Sequence, residues 1–307
     1  MKIPHIPVLL DEVKSLFADI ESGYIIDCTV GYGGHSEAIL EQNDKIKMIC
    51  CDKDITAINF SKKRLDKYKK RVTFENDKFS NIISKYLHLP IRGIIADIGV
   101  SSLQLDDKDR GFGFDSDRLD MRMDKSSKLS AYEVVNGYSR KDLEDILRDY
   151  GEVRDYKRAA KIIYESREKG DIKSSRELSN LFKNFPSKKG INPATLIFQA
   201  IRIEVNDELG ELAKLLESIE KARLSDCLVA IISFHSLEDR IVKRVFKEFA
   251  KSCICPPGVM KCECGNNHSL GEILTKKPIT PSKKEMKYNA RSRSSKMRVF
   301  HIRGTLK

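Results

Sequence analysis

The chain has 307 residues, 40% of them hydrophobic, and a formal net charge of +11. That is enough for one large domain or two small ones with a real core. No apolar run approaches the roughly 20 residues of a membrane span, and the N-terminal MKIPHIPVLL lacks a charged region followed by a long apolar one, so a cytoplasmic, unexported protein is expected. The eight cysteines lie among the strands of an alternating chain, which favours a reducing compartment over a disulfide framework.

Residues 5–13, HIPVLLDEV, read as a short extended arm running into a helix. Leu9, Val13, Leu16 and Phe17 fall at helical spacing, and His5 reads as a surface residue. Residues 24–36, YIIDCTVGYGGHS, follow as an apolar strand reaching Asp27, a turn holding Gly31, Gly33 and Gly34, and a helix starting near Ser36. Strand, glycine turn and helix start together describe a phosphate or cofactor cradle in an α/β sheet. A dinucleotide fingerprint places its third glycine where Ser36 stands, which disfavours a nicotinamide cofactor. About twenty residues on, a second strand over 47–51 ends in Asp52, where such folds place the acid that binds a ribose. The expected ligand carries an adenosine ribose, and S-adenosylmethionine fits as well as a nucleotide.

Strand and helix continue to alternate: a helix over 55–70, a strand over 72–74, a helix over 79–87 and a strand over 91–98. This is the pattern of a parallel sheet with crossover helices, so Asp27, Asp52 and Asp97 are expected to converge beyond the strands' carboxyl ends. Residues 106–128 are charged and glycine-bearing with no period, and the interleaved Phe112, Phe114, Leu119, Met121 and Met123 favour a long ordered loop. A helical insertion is expected over 110–208, within a discontinuous core of 1–109 and 209–307. Its signals are capping-box spacing at Ser130/Glu133 and Ser174/Glu177, apolar stripes at Leu143, Ile146, Leu147, Tyr150 and at Leu178, Leu181, Phe182, Phe185, and Asn192-Pro193 opening one long helix. A strand over 228–233 runs into His235 and a helix reaching 250. Strands near 272–275 and 297–301 would complete seven.

If the chemistry is methyl transfer to an exocyclic amine, the protein must position the amine in line and accept its proton. Asp97, with Ser101 and Ser102 just past it, sits where such an acceptor belongs, and His235 follows a strand expected beside the fourth. No G-x-S-x-G elbow surrounds Ser236, which argues against a serine hydrolase. Cys253, Cys255, Cys262 and Cys264 form a C-x-C pair of pairs. Their one-residue spacers are shorter than those of common zinc sites, so no metal is assigned and the zinc question stays open. Residues 276–307 hold eleven Lys and Arg against the single acid Glu285, which leaves the remainder nearly neutral. That concentration marks a polyanion-binding edge, nucleic acid above all.

Taken together, HIPVLLDEV, DCTVGYGGHS, CDKD, ADIGVSSLQLDDKDRGFGF with LDMRMD, NPATLIFQAIRIEVNDEL, ISFHSLEDRIVK and NARSRSSKMRV resemble the RsmH (MraW) family over nearly the whole chain. The resemblance implies a class I S-adenosylmethionine-dependent methyltransferase, a Rossmann-like seven-stranded sheet with an inserted helical domain. It implies methylation of 16S rRNA at N4 of cytidine C1402 in the decoding centre, on rRNA or the 30S particle. It also implies cofactor contacts at Gly33, Gly34, His35, Asp52, Phe79, Asp97 and Gln104. The Asp/Asn/Ser-Pro-Pro-aromatic motif of DNA amino-methyltransferases is absent, since Asp97-Ile98-Gly99-Val100 stands in its place. The alternatives are a non-catalytic RNA-binding or ribosome assembly factor and a nicotinamide-dependent oxidoreductase. The oligomeric state is open, and a homodimer is compatible with the sequence.

Overall fold

A computed structural model describes residues 6–187, 191–256, 258–259 and 261–304. His5 and Pro257 lie outside the described residues. The chain forms two compact units, Met1–Gly99 with Gly210–Lys307 and, between them, Val100–Leu209. The helical unit thus starts at Val100 rather than at 110.

The first unit opens with α1 (Leu10–Phe17), whose Val13 and Phe17 are buried as the helical spacing predicts. Next come β1 (Gly23–Asp27), α2 (Gly34–Gln42), β2 (Ile46–Cys51), α3 (Ile55–Arg64), β3 (Val72–Glu75), α4 (Phe79–Lys85) and β4 (Ile91–Asp97). The helix expected over 55–70 stops at Arg64. Leu65 turns fully into the core, and residues 66–71 continue as a 3-10 run.

The second unit holds α5 (Ser102–Asp106), α6 (Ala131–Gly137), α7 (Arg140–Asp149), α8 (Tyr156–Arg167), α9 (Ser175–Leu181) and α10 (Thr195–Asn206). Reciprocal capping boxes open α6 at Ser130/Glu133 and α7 at Ser139/Asp142. These satisfy amide donors that a helix start leaves unpaired. Ser174 caps α9 by accepting from Glu177 N, but the Glu177 carboxylate turns to the Lys173 amide instead of closing a box. The unit has its own core, built from Leu143, Leu147, Ile163, Leu178, Phe182 and Ile201 among others.

The irregular run between α5 and α6 is ordered by its own groups. Phe112, Leu119, Met121 and Met123 are buried, and the enclosed Arg110 Nη2 donates to the carbonyls of Arg122 and Met123.

The single long helix expected after Asn192-Pro193 is two. Asp207 adopts a left-handed conformation (φ 48°), ending α10, and α11 (Glu208–Ala222) begins at once. Aspartate tolerates this region better than most residues, and Arg202 bridges the break with a two-armed ion pair to Glu208.

The first unit resumes within α11, at Gly210, and continues with β5 (Cys227–Ser233), α12 (Ser236–Phe249), β6 (Gly271–Ile273), α13 (Lys283–Tyr288) and β7 (Lys296–Ile302). The sheet has seven strands in the order β3-β2-β1-β4-β5-β7-β6. β1 to β5 are parallel, while β7 runs antiparallel to both β5 and β6. This is the Rossmann-like class I methyltransferase sheet, with an apolar cluster on each face. The basic segment is folded into it: Glu285 is buried and accepts the Leu9 amide, and Arg298 is held by Asp239. No helix among the described residues is long and apolar enough to cross a membrane.

Candidate functional site

In a parallel sheet the loops after the strands' carboxyl ends form the ligand crevice, deepest where the strand order reverses. Here that point lies between β1 and β4, which are adjacent although two strands separate them in sequence. Asp27 ends β1, Asp52 follows β2 and Asp97 ends β4, so the three predicted acids share one end of the sheet.

The glycine turn is fixed to these acids bond by bond. Thr29 N donates to Asp27 Oδ1 (3.1 Å), Gly31 N to Asp52 Oδ2 (2.9 Å), and Asp97 N to Thr29 Oγ1 (2.7 Å). Gly33, at φ 74°, caps α2, a left-handed conformation that costs a side-chain-bearing residue about 1 kcal/mol or more. Gly34 follows in the first turn of α2, where a Cβ would lie 2.2 Å from Pro7 Cγ of the N-terminal arm. His35 is buried, with Nε2 2.9 Å from the Val8 carbonyl, and so ties α2 to the same arm.

The acids lie in one unfavourable field. Burial raises both Asp27 and Asp52 to about 6, against hydrogen bonds that favour their charged forms. Asp97 is pushed up to about 8, first by burial and then by the charges of Asp27 and Glu238. Its Oδ1 is buried and accepts no hydrogen bond. An orphaned buried carboxylate oxygen is costly, so this atom fits a site built for a donor or cation brought by a ligand.

Phe79 opens α4 and is half-buried against the core. His235 caps α12: its Nδ1 accepts from Glu238 N, and Glu238 Oε2 accepts the amides of Phe234 and His235. Its Nε2 lies 3.0 Å from Glu238 Oε1 without a hydrogen bond. The structure therefore brings Gly33, Gly34, Asp52 and Asp97 to one end of the first unit and gives His235 a capping place. Ser101 and Gln104 belong to the helical unit, where Ser101 N donates to Gln104 Oε1 and Gln104 N to Ser101 Oγ. Only the backbone of Ser102 is among the described residues.

Sequence reasoning missed Thr29, Ser36 and Glu238 as organisers of the crevice. The SxxE-like run His235 to Glu238 was the one available signal, since a capping residue three before a glutamate marks a helix start.

The profile of the MraW methylase family matches residues 2–303. The ribosomal RNA small subunit methyltransferase H of Aliarcobacter butzleri is 58% identical over 300 residues, covering 98% of this chain and 99% of that protein. The protein of the same name from Campylobacter concisus is 58% identical over 308 residues, covering 99% of this chain and all of the other. That from Campylobacter jejuni subsp. jejuni is 52% identical over 304 residues, covering 98% of each. Among solved structures, a putative methyltransferase from Streptococcus mutans in complex with SAH aligns over 97% of this chain and 99% of its own, at 12% identity and a TM-score of 0.39. A sheet of class I order, a glycine cradle wired to buried acids and full-length identity above half lead to one conclusion: the chain belongs to the MraW methylase family, whose methyl donor is S-adenosylmethionine.

Proposed function

We propose that this chain methylates N4 of a cytidine in small-subunit ribosomal RNA, at C1402 of 16S rRNA in the decoding centre, as the resemblance to its family implies. The observation that carries the chemistry is the orphaned Oδ1 of Asp97 at the carboxyl end of β4. Bound S-adenosylmethionine supplies an electrophilic methyl on a positively charged sulfur.

The task left to the protein is to hold and deprotonate an amine. A cytosine N4 amine shares its lone pair with the ring, so it attacks well only when an acceptor holds its N–H groups. Asp97 is the acceptor in this reading, and its raised pKa makes it a stronger base than an ordinary carboxylate once ionised. Asp52 and the backbone at Gly33 and Gly34 hold the adenosine end of the cofactor, while His35 fixes α2 behind them. Phe79 stacks on the adenine in this reading. His235 serves α12 as a cap, so proton transfer is assigned to Asp97.

RNA recognition is assigned to the helical unit and to the basic stretch of the first unit, where Lys283, Lys284, Lys287 and Arg293 are exposed. A base edge must be unstacked to reach a buried acceptor, so the target is a splayed nucleotide in structured RNA.

The test is incubation of the full chain with methyl-labelled S-adenosylmethionine and either 30S subunits or free 16S rRNA, followed by nucleoside analysis. N4-methylcytidine as the labelled product, lost in Asp97→Ala, is the expected result. Label on another base, or none on either substrate from a chain that binds the cofactor, overturns the assignment.

A further inference from the structure

The loop between α12 and β6 has no core of its own. Among the described residues from 251 to 269 none is buried, and Ile254 and Val259 are 60% and 40% exposed. A stretch this long without secondary structure in a compact unit is ordinarily either functional or disordered. Here four thiols meet: one sulfur from each of Cys253, Cys255, Cys262 and Cys264 lies within 4.8 Å of the others.

The spacing fits metal coordination better than sulfur–sulfur bonding. Cys253 Sγ is 3.7 Å from both Cys262 Sγ and Cys264 Sγ, and the last two are 3.6 Å apart. A disulfide would need about 2.0 Å. A tetrahedron of sulfurs about 2.3 Å from a central zinc has edges of about 3.8 Å. All four cysteines are free thiols.

The backbone around the sulfurs is arranged reciprocally. Ile254 N, in the middle of the first C-x-C, donates to Cys264 Sγ (3.3 Å), and Glu263 N, in the middle of the second, donates to Cys255 Sγ (3.4 Å). Amide donors aimed at sulfur stabilise thiolates and fix their direction, as groups behind metal ligands commonly do. Gly265, at φ 84°, turns the chain just past the last cysteine, and His268 Nε2 lies 2.7 Å from the Cys264 carbonyl. The foot of the loop is pinned where His268 N meets Ser252 O and Leu270 N meets Phe249 O.

We propose that Cys253, Cys255, Cys262 and Cys264 bind one zinc ion as a structural tetrathiolate site. Four protein ligands leave no open position for substrate, which is the mark of a structural and not a catalytic zinc. The place of the loop agrees. α12 starts beside the crevice and its 14 residues carry the chain about 20 Å toward the other end of the sheet. There Gly271 pairs with Ile302, and Ile302 with Cys227, the first residue of β5. The site therefore lies at the amino end of the parallel strands, away from Asp27, Asp52 and Asp97. Its work is to fold the loop that delivers edge strand β6, a local case of metal binding coupled to folding.

The test uses the full chain purified under reducing conditions. Elemental analysis should give about one zinc per chain, and cobalt added to the zinc-free protein should produce the thiolate charge-transfer and intense visible bands of a tetrahedral tetrathiolate. Cys255→Ser with Cys262→Ser should lower zinc content roughly tenfold or more while leaving S-adenosylmethionine affinity within about twofold in calorimetry, which also reports that the variant is folded. The proposal is overturned if the reduced, unsubstituted chain takes up neither ion, if the cysteine variant keeps its zinc, or if the zinc-free chain isolated without air holds these cysteines as disulfides. Cofactor binding lost in step with zinc overturns the remote, structural placement.

Discussion

Ser36 Oγ donates to Asp27 Oδ2 across 2.6 Å, joining the first turn of α2 to the end of β1 where both residues are buried. In a nicotinamide fingerprint this helix position holds a glycine for close packing. Here it carries a hydroxyl that favours the charged form of an acid pushed up to about 6 by burial. Ser36→Ala should destabilise the fold by about 1–2 kcal/mol at pH 8, where Asp27 is ionised, and by less at pH 5, where it is protonated. Urea unfolding at the two pH values measures this. Equal losses at both would mean that the hydroxyl serves packing and not the charge.

Asp239 holds Arg298 with two bonds, Nε to Oδ1 at 2.6 Å and Nη2 to Oδ2 at 3.2 Å, between the first turn of α12 and the closing strand β7. Arg298 is 7% exposed, so removing the carboxylate strands a buried charge. Asp239→Ala should cost about 3 kcal/mol, and Arg298→Met considerably less, because the methionine replaces the charge with apolar volume. Thermal unfolding of the two variants separates these outcomes. A milder loss in Asp239→Ala than in Arg298→Met would show that packing of the arginine stem, and not the pair, matters. By the same geometry, cutting the chain after Lys276 removes β7 from between β5 and β6, so such a truncation tests folding before it tests RNA binding.

This segment marks the limit of what the sequence makes legible. The apolar runs of β1, β2, β4 and β5, the glycine turn and the acids at strand ends are local patterns, and all stand where periodicity and turn chemistry place them. The last strand is legible near 297–301, but the dense charge of residues 276–307 hides a buried glutamate, because the partner of Glu285 is Leu9, 276 positions away. No local window carries that contact. The break at Asp207 was hidden for a related reason: α10 and α11 each have a good apolar stripe, and only the turn's ion pair and left-handed aspartate separate them. Asp27, Asp52 and Asp97 were visible as types and positions. Thr29 and Ser36, which connect them, were not, since small hydroxyl residues near a glycine turn have many ordinary uses.

Two arginines of the loop over 106–128 have different duties despite similar sequence settings. Arg122 grips Asp120 with Nε and Nη2 and donates Nη1 to Ser127 O, so it is spent on the loop itself. The Arg118 side chain is 71% exposed, and among the described residues its ion pair is a 3.7 Å contact to the similarly exposed Asp109. Arg122→Ala should destabilise the chain by about 1–2 kcal/mol, whereas Arg118→Ala should leave stability within about 0.5 kcal/mol. If the loop faces RNA, Arg118→Ala also weakens RNA binding several-fold and flattens its salt dependence. Thermal unfolding beside filter binding at two salt concentrations reads both. Unchanged RNA affinity in Arg118→Ala removes this arginine from the RNA-facing surface.

Asp97 gives the site a pH dependence of definite sign. Its folded-state pKa of about 8 stands above the ordinary 3.8 because the charge is buried beside Asp27 and Glu238. The folded cofactor-free protein therefore holds this proton while the unfolded chain has lost it. The stability so gained is complete below about pH 4 and is lost as pH rises through about 8. Asp97→Asn removes the ionisation and should raise the melting temperature of the cofactor-free protein at pH 8.5 by at least about 2 °C, with a clearly smaller rise at pH 5, where less of the linked stability has been lost. Ligand binding should run the other way. S-adenosylmethionine brings a positive sulfur that S-adenosylhomocysteine lacks, and an ionised Asp97 favours the former. Affinity for S-adenosylmethionine should thus rise between pH 6 and 8.5 by roughly tenfold, more steeply than affinity for S-adenosylhomocysteine, and the two slopes should become equal in Asp97→Asn. Calorimetry in buffers of different ionisation enthalpy would record the proton released on binding. Parallel slopes for both ligands in the unsubstituted protein would place the positive sulfur out of reach of Asp97 and leave the carboxylate free to serve the amine alone.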